Sequence, residues 1–133
     1  LAPEVCDQVI NAYLGESWRD YVSNDTTASG FPDGTDCEVF PVATLQLANQ
    51  RATSPADREH VTAWMRRCTK TQIVRSPDDY RHLKLSVDTE EDLVRVRQVF
   101  GCLNGHGLAL SACPLLKTAT CFSFSVNPMV YGL

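Results

Sequence analysis

The chain has 133 residues, of which 44% are hydrophobic and 21% are charged, so it fits one globular domain and is not a disordered chain. The chain has twelve Lys and Arg and sixteen Asp and Glu, so its net charge is -4. No basic run is interleaved with aromatic residues, and we therefore expect no nucleic-acid partner. No apolar segment approaches the roughly twenty residues that a membrane span requires, and the N-terminus lacks signal-peptide features, so we expect a cytoplasmic protein with no membrane partner.

The first part of the chain alternates helical and extended patterns. Pro3 precedes apolar residues at helical spacing, from Val5 to Leu14, which predicts an N-terminal helix. The segment 25–36 is dense in Asp, Thr, Gly and Pro and is predicted to be a loop, either a binding loop or a mobile one. The remaining predicted elements are strands at 20–24, 37–42 and 71–75 and helices at 44–51 and 54–68.

The stretch LKLSVDTEEDLVRVRQVF, residues 83–100, changes from a strand pattern to a helix pattern. Apolar residues alternate with polar ones over 83–87, and helical spacing follows. Thr89 and Asp92 have the spacing of a capping box, which predicts a helix that starts at Thr89. Helices that alternate with strands predict an α/β fold, with α+β as the alternative.

Asp88 lies between that predicted strand and the helix cap. A carboxylate at the end of a strand, next to a helix N-terminus, occupies the place where open α/β sheets bind ligands. The alternative is an Asp that only hydrogen-bonds its own turn, as short polar residues at strand-to-helix turns usually do. The residues by themselves leave both interpretations open.

The chain has six cysteines that are widely and irregularly spaced, without a C-x-x-C pair. This pattern does not predict a disulfide framework or a zinc site, and we expect reduced thiols. The positions are Cys6, Cys37, Cys68, Cys102, Cys113 and Cys121.

The composition changes after Phe100, because the segment 101–133 carries a single Lys as its only Lys, Arg, Asp or Glu. Glycines at 101, 105 and 107 predict the end of the preceding helix and a turn. Apolar and polar residues alternate over 120–126, which predicts an added strand. Its edge would have to be covered, or paired with the sheet or with another chain. We therefore divide the chain into a segment 1–100 and an apolar tail 101–133.

Five motifs follow one another along the sequence: PEVCDQVINAYL, DYVSN, FPDGTDCEVF, SPADREHVT and YRHLKLSVDTEEDLVRVR. Together they resemble the second half of cytidylyltransferases that activate sugars for surface polysaccharides. The resemblance covers about residues 1–100 and is nearest to the spore-coat polysaccharide branch, which is related to the acylneuraminate enzymes. The tail has no matching segment.

The resemblance implies a partial nucleotidyltransferase sheet of the glycosyltransferase-A kind, with flanking helices. In that family a magnesium ion held by two aspartates guides an acidic sugar onto the α-phosphate of CTP. Asp88 matches the second metal ligand, so magnesium is the implied cofactor if the site survives. Asp36 and Glu38 match positions near the sugar pocket, and Asp33 and Arg58 are further sugar-binding candidates.

The family's Gly-rich basic phosphate loop and its first metal aspartate have no match in this sequence. We therefore expect a truncated cytidylyltransferase-like protein that lacks catalytic activity alone and acts as a homo-oligomeric binding or assembly module. One alternative is a CMP-sugar synthetase activity that a partner chain completes, and another is a stable fragment without a selected function. A nucleotide or a sugar is the expected class of ligand.

Overall fold

The computed structural model describes residues 3–25 and 27–105, with side chains as far as Gly101. Five helices and three short strands follow one another along this part of the chain. In chain order they are α1 (Pro3–Leu14), β1 (Tyr21–Ser23), β2 (Glu38–Val39), α2 (Val42–Arg51), α3 (Pro55–Glu59), α4 (Ala63–Cys68), β3 (Thr71–Ile73) and α5 (Glu90–Gly105).

The three strands form a mixed sheet with β1 in the centre, in the order β2-β1-β3. β1 pairs antiparallel with β2, where Ser23 lies opposite Glu38. β1 pairs in parallel with β3, where Ser23 lies opposite Ile73. The helices that connect and flank these strands make this an α/β arrangement, as the sequence predicts.

Helices cover the central strand on two sides. The ring of Tyr21 packs with Ala48 of α2 and Met65 of α4 in one apolar cluster. α1 packs against β1 and β2, and its Val5 forms a second cluster with Phe31. Tyr21 and the next residue, Val22, are both buried. Since neighbouring residues of a strand point to opposite faces, both faces of β1 are covered.

The helix predicted at 54–68 is in fact two helices, and this expectation was wrong. Ser54 caps α3 by accepting a hydrogen bond from the Asp57 N–H at 3.2 Å. The helix ends at Glu59, and the following residue, His60, has extended backbone angles of φ −107° and ψ 112°. The break turns the chain so that the hydroxyl of Thr62 donates to Glu38 at 3.0 Å instead of capping α4.

The strand predicted at 83–87 is also not formed as predicted. Lys84 makes a single parallel bridge with Asp33, through the Leu85 N–H that donates to the Asp33 carbonyl at 2.7 Å. Leu83 is buried, whereas Val87 is 49% exposed. Only one end of the alternating segment therefore faces the core.

The capping box at the start of α5 is confirmed. The N–H of Asp92 donates to Thr89 Oγ1 at 3.2 Å, and the N–H of Thr89 donates to Asp92 Oδ2 at 3.1 Å. Gly101 does not end the helix, which continues to Gly105. The predicted strand at 120–126 lies outside the described residues.

Within residues 3–25 and 27–105, no helix has the length and apolar character needed to cross a membrane.

Candidate functional site

The carboxylate of Glu38 is the centre of a polar network on the sheet. Glu38 Oε1 accepts the hydroxyl of Tyr21 at 2.6 Å and the hydroxyl of Thr62 at 3.0 Å. The guanidinium of Arg66 is paired with both Glu38 and Asp25. One cation thus joins two carboxylates, and the network fixes α4 to β2 and to the loop after β1.

The hydroxyl of Tyr21 is held in this network in its protonated form. Burial, together with its hydrogen bond to Glu38, raises the pKa of Tyr21 to about 12. Its ring also stacks on Phe40, with ring centroids 6.0 Å apart. Tyr21 is therefore a rigid neutral donor that orients the Glu38 carboxylate.

A cavity of about 930 Å³ opens beside this network, and we call it the larger cavity. Its wall combines four carboxylates with Arg66, whose charge is already shared between Asp25 and Glu38. Phe40 and His60 add an aromatic ring and an imidazole to the wall. The lining residues are Asp25, Asp36, Glu38, Phe40, Glu59, His60, Val61, Thr62, Ala63 and Arg66.

A second cavity of about 270 Å³, the loop cavity, adjoins the larger one, and Asp25 and Asp36 line both. Asp33 and Arg81 lie in its wall. Although Asp36 is exposed as a residue, desolvation of its carboxyl, followed by the charge of Asp25, raises its pKa above the ordinary value. The site therefore brings together three of the sequence-predicted residues, Asp33, Asp36 and Glu38, along two adjoining cavities.

Asp88 approaches this region from the other side of Asp33. The hydroxyl of Ser86 is within hydrogen-bonding distance of Asp33 Oδ2 and, at 3.3 Å, of Asp88 Oδ2. Gly34, at φ +92°, allows the backbone of Ser86 to pass close enough for this contact. The lining of the two cavities does not include Asp88.

The cation next to Asp88 belongs to the chain itself. Lys84 Nζ lies 2.8 Å from Asp88 Oδ2 and 2.7 Å from Asp92 Oδ2. Its hydrogen bond holds the pKa of Asp88 below the ordinary value. Among the described residues no group of three or more His, Cys, Asp and Glu could hold a metal ion. These side chains alone do not fit magnesium, so Asp88 as a metal ligand stays a prediction.

Arg58 lies apart from the other candidates. Its guanidinium donates to Asn49 Oδ1 at 2.9 Å, and it lines a cavity of about 190 Å³ that shares only Val61 with the larger one. Asp57, its neighbour, is buried against Arg67 at 2.7 Å. The structure therefore separates Arg58 from Glu38 and Asp36.

Sequence reasoning missed Tyr21, Asp25, Thr62 and Arg66 as site residues. Tyr21 falls in the strand predicted at 20–24, and Thr62 and Arg66 both fall in the single helix predicted at 54–68. The motif SPADREHVT carried the one available signal, because its β-branched pair after His60 weakens a helix at the position of the break.

No protein-family model matches the chain. The search of curated proteins also found no match. Among solved structures, the chain is similar to a cytidylyltransferase from Leptospira borgpetersenii serovar Hardjo-bovis (strain JB197), with a TM-score of 0.74 and 17% sequence identity. The likeness covers 97% of this chain and 55% of that chain.

The chain has a cytidylyltransferase-like fold. This confirms the nucleotidyltransferase architecture expected from the motifs, at the level of the fold. The chain spans about half the length of the solved cytidylyltransferase. Assignment to the spore-coat polysaccharide branch stays a prediction.

Proposed function

We propose that this chain is a binding and assembly module on a cytidylyltransferase-like fold, which binds a sugar in the larger cavity and does not transfer nucleotide alone. The observation that carries the proposal is the rigid network around Glu38 at the cavity wall. Carboxylates held by their own hydrogen bonds, next to the aromatic ring of Phe40, are suited to a polyhydroxylated ligand.

The charges around Asp88 support the proposal that this chain alone does not transfer nucleotide. Phosphoryl transfer requires positioned cations on the phosphates. Lys84 is already engaged by Asp88 and Asp92, and Arg66 is engaged by Asp25 and Glu38. Neither cation is available for a nucleotide without the loss of an existing ion pair.

Assembly with a second copy is supported by apolar side chains near the smallest of the three cavities. Val61 is 67% exposed, and it lines that cavity together with Leu45, which is 38% exposed. Val42, one helical turn before Leu45, is 69% exposed. A second copy would remove this surface from water.

Ligand binding is tested by isothermal titration with a neutral sugar such as glucose, whose hydroxyl groups can donate to the carboxylates of the cavity, and separately with CTP and magnesium. We expect sugar binding that Asp36→Asn weakens at least fivefold and Arg58→Gln leaves unchanged, because Arg58 lies in a different cavity. Equal effects of the two substitutions, or no heat at millimolar sugar, would refute the sugar site.

The second candidate function is CMP-sugar synthesis completed by another chain, which the likeness to a solved cytidylyltransferase favours. Pyrophosphate release from CTP and the sugar distinguishes the two. Release by the purified chain alone would contradict the binding-module proposal.

Assembly is tested by analytical ultracentrifugation. Val61→Asp should shift the protein to monomer, whereas Leu14→Asp, at a 72% exposed position of α1, should not. A monomeric wild type would exclude assembly with a second copy.

A further inference from the structure

The larger cavity carries an excess of negative charge. Four carboxylates line it, those of Asp25, Asp36, Glu38 and Glu59, and Arg66 is the only Lys or Arg among the described lining residues. Arg66 is already paired with Asp25 and Glu38. No Lys, Arg or His in the part of the chain that the structure describes forms an ion pair with Asp36 or Glu59. The charges of these two carboxylates are therefore not balanced within the described residues.

An ammonium group complements such a wall. It carries one positive charge and three hydrogen-bond donors, and it can pair with a single carboxylate. A metal ion requires several ligands held together, and among residues 3–25 and 27–105 no group of three or more His, Cys, Asp and Glu could hold one. The wall therefore favours an organic cation over a metal ion.

Glu38 provides an acceptor whose charge is already balanced. The hydroxyls of Tyr21 and Thr62 and the guanidinium of Arg66 all donate to its Oε1. No described residue donates to its Oε2. Because these donors hold the carboxylate in place, Oε2 is suited to accept a hydroxyl group of a sugar.

Asp36 has different surroundings. It lines both the larger cavity and the loop cavity, whereas Glu59 lines only the larger of the two. Burial of its carboxyl, followed by the charge of Asp25, raises the pKa of Asp36, and the charge of Asp33 acts in the same direction. A cation beside Asp36 would offset the repulsion from these two like charges. Asp36 is therefore the carboxylate that we expect to contact an ammonium group.

We propose that the larger cavity selects an amino sugar, whose ammonium group pairs with Asp36 and one of whose hydroxyl groups donates to Glu38 Oε2. This rests on the proposed sugar binding and names the class of sugar. The acidic sugar that the family resemblance implies would place its own carboxylate among four others, with the one cation of the wall already paired. A neutral sugar would keep the contact with Glu38 and lack the one with Asp36.

Isothermal titration at pH 7 tests this selection with hexoses that differ from glucose in one substituent. Glucosamine and 6-amino-6-deoxyglucose carry the ammonium group at different ring positions, N-acetylglucosamine has no charge, and glucuronate carries a carboxylate. The titrations use about 0.15 M salt, which screens charges more than about 8 Å apart. At least one amino sugar should bind about tenfold more tightly than glucose. N-acetylglucosamine should bind no more tightly than glucose, and glucuronate should bind more weakly.

Two variants locate the contact. Asp36→Asn removes the charge and keeps the shape of the side chain, and it should reduce the advantage of the amino sugar over glucose to less than about twofold. Glu59→Gln is the matched control, because it removes one negative charge from the same wall, and the advantage should stay near the wild-type value. Equal losses in the two variants would overturn the contact with Asp36. If Asp36→Asn does not fold, the series of sugars with the wild-type protein still tests the selection.

The same titrations separate the failure of this proposal from the failure of sugar binding. If glucose binds and neither amino sugar binds more tightly, the selection of an amino sugar is overturned and the sugar site stands. If N-acetylglucosamine gains as much as the amino sugars, the gain does not come from the charge, and the selection is overturned as well. If no sugar binds at millimolar concentration, both proposals are refuted.

Discussion

Lys84 Nζ lies 2.8 Å from Asp88 Oδ2, so the carboxylate that the sequence marks as a metal ligand already has a cation beside it. The same ammonium reaches Asp92 Oδ2 at 2.7 Å. Lys84 thereby links the segment before α5 to the capping residue of that helix. Removal of this one side chain changes the environment of two carboxylates at once.

The first prediction concerns the acid stability of this ion pair. The hydrogen bond from Lys84 lowers the pKa of Asp88 and of Asp92 in the folded protein. A carboxyl group whose pKa is lower in the folded protein than in the unfolded protein stabilises the fold at every pH above its unfolded pKa, which is near 4. This contribution is lost as the pH falls through the pKa of the folded protein. Lys84→Met should therefore lose less stability than the wild type between about pH 4 and pH 2.

Urea unfolding at pH 7, 4 and 2.5 measures that difference. Lys70→Met, which removes another lysine from an exposed position, serves as the control and should follow the wild-type pH dependence. If the unfolding free energy decreases equally with falling pH in the wild type and in Lys84→Met, the ion pair does not contribute to the acid stability of the fold.

The second prediction tests the capping box of α5. Thr89→Ala removes the oxygen that accepts from the Asp92 N–H at 3.2 Å, and it should cost about 1 kcal/mol of unfolding free energy. Thr89→Ser keeps the acceptor and should retain most of the stability. Denaturant titration measures the unfolding free energy of both variants. If Thr89→Ser loses as much stability as Thr89→Ala, the loss comes from the methyl group of Thr89 and not from its hydroxyl oxygen.

The third prediction concerns Tyr21, whose hydroxyl donates to Glu38 at 2.6 Å. Tyr21→Phe should destabilise the fold by about 1.5–3 kcal/mol, because a charged acceptor loses a donor. The raised pKa of Tyr21, about 12, adds a test in alkali. Its stabilising contribution is complete below the unfolded pKa, near 10, and is lost as pH rises towards 12.

Ultraviolet titration near 295 nm should reveal one tyrosine that ionises near pH 12 in the wild type and is missing in Tyr21→Phe. Tyr13→Phe, in α1, is the matched control and should retain the late transition. Ionisation of every tyrosine near pH 10 would be incompatible with the buried hydroxyl.

The fourth prediction compares two glycines. A Cβ at Gly34 would lie 2.4 Å from the Ser86 backbone nitrogen, and the φ of +92° disfavours other residues. Gly34→Ala should therefore cost about 2 kcal/mol or more. Gly101→Ala places its methyl group in open space on α5 and should stabilise the protein by about 0.5–1 kcal/mol. Thermal and denaturant unfolding should move in opposite directions for the two variants.

The sequence by itself determined the elements whose signals are local. Pro3 and the apolar spacing after it predicted a helix where α1 is observed, and the Thr89–Asp92 spacing predicted the cap of α5. The motifs also indicated the nucleotidyltransferase fold. The helix α1 and the cap of α5 depend on residues within a few positions of one another, so the pattern along the chain is sufficient to specify them. The fold was indicated by the family resemblance of motifs spread over about residues 1–100.

Only the tertiary structure decided where the strands end and which side chains meet. The alternation at 83–87 predicted a strand, but only Lys84 finds a partner residue, and a strand requires a neighbour that local sequence does not supply. The helix break after Glu59 is accompanied by a hydrogen bond from the Thr62 hydroxyl to Glu38, a residue of a distant strand. The contact of Arg66 with Asp25 joins distant segments, because packing of α4 on the sheet brings them together.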